Sequence, residues 1–463
     1  MVAERYPGLG ENEFYWKLMQ FLLFSTEREK HTGRLIMKFT TVLQLAGAKN
    51  RRINGKTVSA NEMLGEFESN VGIKLNIRGY GFAEGKARTA LPEIDPDILD
   101  VLIRERIPPY RDGKETVYFH SGCVPSRRSL QKDRDAYLSR VAEEVDYDHP
   151  AYELLQFLNS QGMRVPKRVL AANLPKVRHA IDHSTEYSDD KKLWAFNVLR
   201  ISESNGRITY QPSRRNRTVR VFPISATVIA LPRKMRKLAL SGCYSMDLKY
   251  AQLAIAAAQW DLKCTKKFLA EGREIWEELL TYSGLEISKK PVVKRLLYAT
   301  VFGMAEQNLV HGYAEEDESL DISTRKKLLN HPIIRELLDE RNKQMQIVRD
   351  AGGTLDAFGR WISIPYDNKR GYNRANAKSV LAQVAQSYEL KIMLAVLPIL
   401  KKHKDVYVMA WLHDGITLHL GNRTKSERRI RQIKKAIDEA ATSLNIPTTL
   451  EVELLCEADS SGS

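Results

Sequence analysis

Cysteine is scarce in this chain: four residues in 463, Cys123, Cys243, Cys264 and Cys456, with no Cys-x-x-Cys pair and no spacing that suits zinc. That excludes a disulfide scaffold and a small zinc module, and leaves the four thiols as core filler or surface groups in a reducing, cytoplasmic setting. Long apolar runs are missing too. None approaches the roughly 20 residues of a membrane span, so no membrane partner is expected. Met1-Val2-Ala3-Glu4-Arg5-Tyr6-Pro7 lacks the charged and apolar regions of a secretion leader. No internal repeat or low-complexity tract is visible, which sets aside repeat architectures.

Acidic residues are outnumbered. Asp and Glu total 57 against 72 Lys and Arg, a formal charge of +15. Such an excess favours a polyanionic partner, because each phosphate neutralised releases condensed counterion. Net charge alone is a weak indicator, and its distribution says more. Arg214, Arg215, Arg217 and Arg220 lie within seven residues, and Arg233, Lys234, Arg236 and Lys237 within five. Both clusters sit just upstream of an aspartate that ends an apolar run. With 43% hydrophobic residues the chain reads as globular, and its length suits two or three domains.

Coarse patterning places the chemistry. The first 150 residues alternate helical and loop-like stretches, with mixed helical periodicity over Leu18 to Leu45 and helical signals at Asp133 to Val145 and Tyr152 to Leu158. Val219 to Pro223 and Tyr244 to Asp247 read as strands, the second running into an apolar helix from Leu253 to Trp260. Residues 263 to 350 are overwhelmingly helical. A short strand near Gly359 to Pro365 precedes a long helix, about Asn373 to Leu397. Tyr407 to Trp411 and Ile416 to Leu420 flank His413-Asp414-Gly415 as a hairpin, with Asp-Gly as a tight-turn signal.

Asp247 ends a strand, so its carboxylate can point from a sheet edge into a cleft, and Leu248 could lend a backbone carbonyl to the same ion. Taken alone, an Asp at a strand end is more often a turn or cap residue, and Asp414 has the same bland reading. The pairing matters more. Two carboxylates far apart in sequence can meet on adjacent strands and hold two Mg²⁺ ions about 3.5–4 Å apart. Between them lies a helix in which Lys290, Lys294, Tyr298 and Phe302 recur every fourth residue on one face. Ser288 is its expected N-cap and Pro291 suits its first turn. Ammonium groups near a helix N-terminus suit a triphosphate, and rings one turn on can stack on a base. The bland alternative is an amphipathic helix with wet lysines and core-packed rings.

These residues resemble the A-family DNA polymerases typified by bacterial DNA polymerase I, over roughly residues 200 to 425. Gly206-Arg207-Ile208-Thr209 resembles the family's TGRLSS segment, and Met235 to Leu238 its basic stretch. Asp247 to Leu253 resembles motif A, Lys294 to Met304 motif B, and Leu412-His413-Asp414 motif C. The resemblance implies a mostly helical α+β, right-hand fold whose palm holds an antiparallel sheet. Residues 1–150 would be an N-terminal helical region with part of a thumb, and 151–262 thumb and first palm segment. Residues 263–355 would be fingers, 356–456 the second palm segment, and 457–463 a disordered tail.

By that resemblance Asp247 and Asp414, with Leu248, bind two Mg²⁺, for which Mn²⁺ can substitute. Lys290 and Lys294 grip the incoming nucleotide's phosphates, and Tyr298, Phe302 and Gln252 border its sugar and base. Arg207, His413, Gln383 and Arg236 face primer and template. The implied activity is template-directed, primer-extending DNA synthesis by a monomer acting on a DNA primer–template and dNTPs, alongside replication accessory proteins. Brevity and divergence suggest a phage, plasmid or other mobile-element replicase, or a repair enzyme, in a bacterial or host cytoplasm. No Asp-x-Glu pair occurs before residue 200, so no proofreading is expected. Departures are plain: Gln252 stands for the family's sugar-gating Glu, Phe302 for its Tyr partner, Lys290 for Arg, and Gly415 for an acid. Tyr298 implies readier use of dideoxynucleotides. The competing readings are an RNA-synthesising polymerase, primase or reverse transcriptase of the same fold, and a non-catalytic nucleic-acid-binding homologue.

Overall fold

The computed structural model describes residues 2–24, 35–38, 42–43, 45–47, 52–53, 56–57, 59–79, 87–90, 92–94, 98, 148–162, 164–205, 208, 210–213, 218–223, 227–311, 320–364 and 374–455. The Asp133 to Val145 helix, Arg207, the arginines at 214, 215 and 217, and the terminal tail lie outside them.

Among its described residues the N-terminal region carries strands as well as helices. Helices α1 (Glu13–Phe24) and α2 (Ala60–Val71) surround a core of Leu9, Leu18, Leu22, Leu64, Phe67 and Leu75. Strand β1 (Leu35–Lys38) falls inside the stretch expected to be helical, followed by a small hairpin, β2 (Arg52–Ile53) and β3 (Lys56–Thr57). β4 (Arg78–Gly79) and β5 (Ala87–Ala90) complete a three-stranded antiparallel sheet of order β1-β5-β4. Four residues, Leu-Ile-Met-Lys, are too few to show a period, so cross-strand pairing decided their conformation.

A second region begins with α3 (Tyr152–Ser160), α4 (Arg164–Asp182) and α5 (Asp189–Asn205). Leu193 of α5 belongs to the N-terminal core, whereas Trp194, Phe196 and Leu199 join the largest core. A hairpin, β6 (Tyr210–Pro212) with β7 (Val221–Pro223), leads to α6 (Arg233–Ala239) and then to β8 (Tyr244–Leu248). Met246 and Leu248 alternate into the core while Ser245 and Asp247 face outward, the period of two that a half-covered strand requires.

α7 (Ala251–Gln259) follows at once. Its seven N-terminal residues are all buried. Ala251, Ala254 and Ile255 pack into the core behind the sheet, and Leu253, Ala256 and Ala257 into a second, all-helical core. Small side chains allow packing on both flanks.

That helical core is built by α8 (Lys263–Ala270), α9 (Ile275–Ser283), α10 (Lys290–Val301), α11 (Glu306–His311), α12 (Ile322–Leu329) and α13 (Pro332–Ala351). Ser288 is not the cap of α10. It lies in a short 3-10 turn, Ile287–Lys289, and Lys289 takes the cap position without a side-chain bond. At the other end Gly303 adopts φ +86° and Met304 N–H reaches back to Ala299 O at 2.9 Å, a left-handed stop. A Cβ on Gly303 would also sit 2.9 Å from Lys378 Cβ. Gly303→Ala is therefore expected to cost about 1–2 kcal/mol, read as a lower midpoint in urea unfolding. Buried Arg341 of α13 donates Nη1 to Thr300 O (2.7 Å) and Met304 O (3.0 Å), holding the end of α10 in place.

The chain returns through the hairpin β9 (Gly353–Leu355) and β10 (Trp361–Ser363) to α14 (Arg374–Met393) and α15 (Leu397–Lys402), then β11 (Val406–Trp411), β12 (Gly415–Leu420), α16 (Ser426–Ser443) and β13 (Leu450–Leu454). One correction falls here. Residues 377–402 are long and apolar enough by composition to cross a membrane, contrary to the reading that no run approached that length. Half of this stretch is buried between the cores, as befits a central helix. The sheet is antiparallel throughout, order β11-β12-β8-β13. The chain is thus a mostly helical α+β protein.

Candidate active site

The register of the sheet brings the two aspartates together. Gly415 at the start of β12 lies directly opposite Asp247 on β8, and Leu248 N–H donates to Asp414 O at 2.9 Å. The hairpin is real, but its turn is centred one residue earlier than Asp-Gly suggests. Leu412 N–H closes on Gly415 O (2.8 Å), so His413 and Asp414 are the central pair, and His413 takes φ +70°. Gly415 is therefore not there for its backbone freedom. A Cβ at 415 would lie 1.8 Å from Asp247 Oδ1. The Asp247 carboxylate occupies the space where a side chain at 415 would be.

Crowding shows in both acids. Asp247 reaches solvent from the sheet edge, yet the cleft around it pushes its carboxyl above the usual range, first by loss of hydration and then by Asp414. Ser245 Oγ (3.3 Å), Arg233 and Arg236 pull in the opposite sense. Asp414 is pushed up to about 6, by burial first and then by Glu389, against Arg220 and Lys294. Such a pair is held at an electrostatic cost that a cation would remove. Among the described residues no three His, Cys, Asp or Glu side chains gather into a metal cage. Two carboxylates with water and substrate oxygens are nonetheless the usual protein share of a Mg²⁺ site, so the donor set fits that ion.

A cationic wall faces them. Lys294 has its ammonium pKa lowered by burial, Arg233 and Lys290, with Asp414 and Asp247 opposing. Its Nζ lies 5.8 Å from the ring centroids of both Trp276 and Tyr298. Arg236 is lowered by burial and by Arg233, and donates Nη1 to Ile229 O at 3.0 Å. The second basic cluster thus divides by helical face. Arg233 and Arg236 feel Asp247, while Lys234 pairs with Glu186 (2.9 Å) and Lys237 with Glu453 (2.5 Å). Arg220, the described member of the first cluster, is paired with Glu389. The sequence places Arg233 in this cluster without singling it out as a site residue; its spacing of three from Arg236 is the available signal.

Along α10 the stripe appears as expected. Lys290 and Lys294 are exposed, and Tyr298 and Phe302 stack with centroids 6.3 Å apart. Burial, then Asp414 and Glu389, pushes the Tyr298 phenol up to about 12. Phe302 remains 45% exposed at the helix end. Its ring and Gln252 of α7 help line a small, open pocket, closed behind by Leu381 and Ala385 of α14. Gln383 is half-buried on α14, and the His413 ring packs edge-on against Phe222 at 5.2 Å.

The sequence also gave no hint of two supports. Tyr250, at φ +54°, turns β8 into α7, and its hydroxyl donates to Glu274 at 2.5 Å, beside Lys249, which pairs with Glu274 and Glu451. A non-glycine residue in that conformation next to Asp247 is held there by surrounding structure. The other support is Glu389, an acid within an apolar helix, 1% exposed.

No protein-family model matches this chain, and no curated protein matches it. Among solved structures it is similar to the POL domain of Pol1 from M. smegmatis in complex with DNA primer-template and dNTP, with a TM-score of 0.48 and 12% identity over 76% of this chain and 80% of that one.

Proposed function

We propose that this chain is a template-directed DNA polymerase that extends a primer by nucleotidyl transfer. One observation carries the reading: Asp247 near the end of β8 and Asp414 in the turn that opens β12 come together where Gly415 makes room, with Lys294, Arg233 and Arg236 in electrostatic contact. In this reading the four-stranded sheet with α6 and α7 is the palm, α8 to α13 are the fingers, and α4 and α5 belong to the base of the thumb.

The residues divide the work by chemistry. Lys290 and Lys294 neutralise the triphosphate, and their place in the first turns of α10 adds the helix's partial positive charge. Tyr298 and Phe302 offer ring faces to the base. Asp247 and Asp414, with the Leu248 carbonyl, would hold Mg²⁺, which when bound lowers the pKa of the attacking hydroxyl and offsets charge on the departing pyrophosphate. Arg233 and Arg236 oppose the upward push that burial and Asp414 exert on the Asp247 carboxyl. Residues 1–200 contain no Asp-x-Glu start of a proofreading nuclease, and none is proposed.

The test is extension of a labelled primer on DNA and on RNA templates, with dNTPs or rNTPs. Addition of dNTPs on DNA, absent with Asp247→Ala, is expected. Preferred use of rNTPs would replace the reading with an RNA-synthesising one, and no extension under any condition would end it.

A further inference from the structure

Glu389 is the acid that neither metal binding nor phosphate binding uses. It sits within α14 at 1% exposure, and both of its oxygens are engaged. Oε2 accepts from Arg220 Nε (3.2 Å) and Nη2 (2.5 Å), and Oε1 accepts from Gln252 Nε2. One turn earlier on the same helix Gln386 Oε1 accepts from Thr218 Oγ1 at 2.5 Å, so the segment before β7 is tied to α14 twice. β7 in turn carries Phe222, whose ring supports His413, the neighbour of Asp414. On the other side Gln252 lies five residues after Asp247. A single buried carboxylate therefore joins the segments that bear the two aspartates.

Its grip on Gln252 also has a direction. A carboxamide can present either its oxygen or its NH₂ group to a neighbour, and the two are similar in size. Glu389 can only accept while ionised, so it takes the NH₂ end and fixes the flip. Gln252 Oε1 is left buried with no hydrogen-bond partner. Phe302, on another wall of the same pocket, has no hydroxyl with which to do this work.

Resting on the polymerase reading, we infer that Glu389 is a positioning residue for sugar selection: it locks the carboxamide of Gln252 so that this side chain holds a fixed bulk at the wall facing the sugar of the incoming nucleotide. Glu389 acts through Gln252 and does not touch the reacting atoms. Without it the carboxamide can flip or turn aside, and discrimination between deoxyribose and ribose weakens.

The experiment measures kcat/KM for dATP and ATP with the full chain, comparing wild type, Glu389→Gln, Gln252→Met and the double variant. Each single change is expected to shift the dATP-to-ATP ratio about tenfold, the loss of one well-formed hydrogen bond at the barrier. Because both act through one contact, the double variant should shift it no further. Should Glu389→Gln fail to fold, Glu389→Asp retains a charge for Arg220 but withdraws it from Gln252, and the same shift is expected. A ratio unchanged while both nucleotides slow alike would mean a structural role only and overturn the inference. So would effects that multiply in the double variant. Binding of dATP and ATP with Mg²⁺, followed by thermal shift on the same proteins, separates the two readings. A preference for dATP that Glu389→Gln removes, in a chain that extends no primer, would sink the polymerase and keep this inference. A wild type that binds neither nucleotide overturns both.

Discussion

Asp414→Asn is expected to abolish primer extension and, in metal-free buffer, to make the protein harder to unfold. The first effect follows from losing one of two carboxylates that would hold Mg²⁺, a contribution of several kcal/mol and so a loss of about 10³-fold or more in rate. The second follows from the cleft's electrostatics. The folded protein raises Asp414 from 3.8 to about 6, mainly by burial and by Glu389. The folded carboxyl thus holds its proton more tightly than the unfolded one. Its contribution to stability is full below about pH 4 and is lost as pH rises through about 6. At pH 7.5 the ionised group costs at most ~3 kcal/mol, and partial solvation in the cleft reduces this to about 1–2 kcal/mol. Asparagine removes that cost. Thermal unfolding at pH 7.5 in EDTA should show a higher midpoint for Asp414→Asn than for wild type, and Mg²⁺ should raise only the wild type. A variant that unfolds earlier than wild type and still extends primers would contradict both halves of the argument.

Gly415→Ala should be nearly as damaging to catalysis, with almost no effect on folding. The added Cβ would fall 1.8 Å from Asp247 Oδ1, 2.9 Å from its Cγ and 3.0 Å from Met246 O. The Asp247 side chain is the part that can yield, so it rotates away from Asp414 and the sheet survives. Displacing a reacting group by about 1 Å can cost 10²-fold in rate, and that is the size of loss expected in primer extension, with circular dichroism and melting temperature close to wild type. Gly415→Glu, which adds both bulk and a like charge beside Asp247, should do worse than alanine. Extension by Gly415→Ala at about the wild-type rate would mean that Asp247 does not need the position it occupies.

Much of this was legible in the residues. Alternation in Tyr244 to Leu248 and the paired apolar runs around Leu412 to Gly415 specify strands, and register then follows from which face must be buried. The four-residue stripe on α10 was visible because helical spacing is local. What could not be read is where partners far apart in sequence meet. Glu389 looked like any acid in a helix, because only folding shows that Arg220 and Gln252 lie on either side of it. Gly415 looked like a turn glycine, since Asp-Gly is a turn signal; its actual reason is a carboxylate from a strand 168 residues earlier. The four-residue strand β1 was read as helix for want of length, and Ser288 lost its capping role because the turn before α10 tightened by one residue.

Helix α7 has no surface to spare. One flank serves the sheet's core and the other the helical core, with alanines where a wider side chain would force the two apart. Neither body can melt while the other stays intact, because the survivor would be left with a naked apolar groove. The amide hydrogens of Ala254 to Ala257 should therefore be among the slowest in the chain to exchange with deuterium, released only when both bodies open together. Any rocking of one body against the other has to take place in the connections on either side of this spine and leave the spine itself rigid.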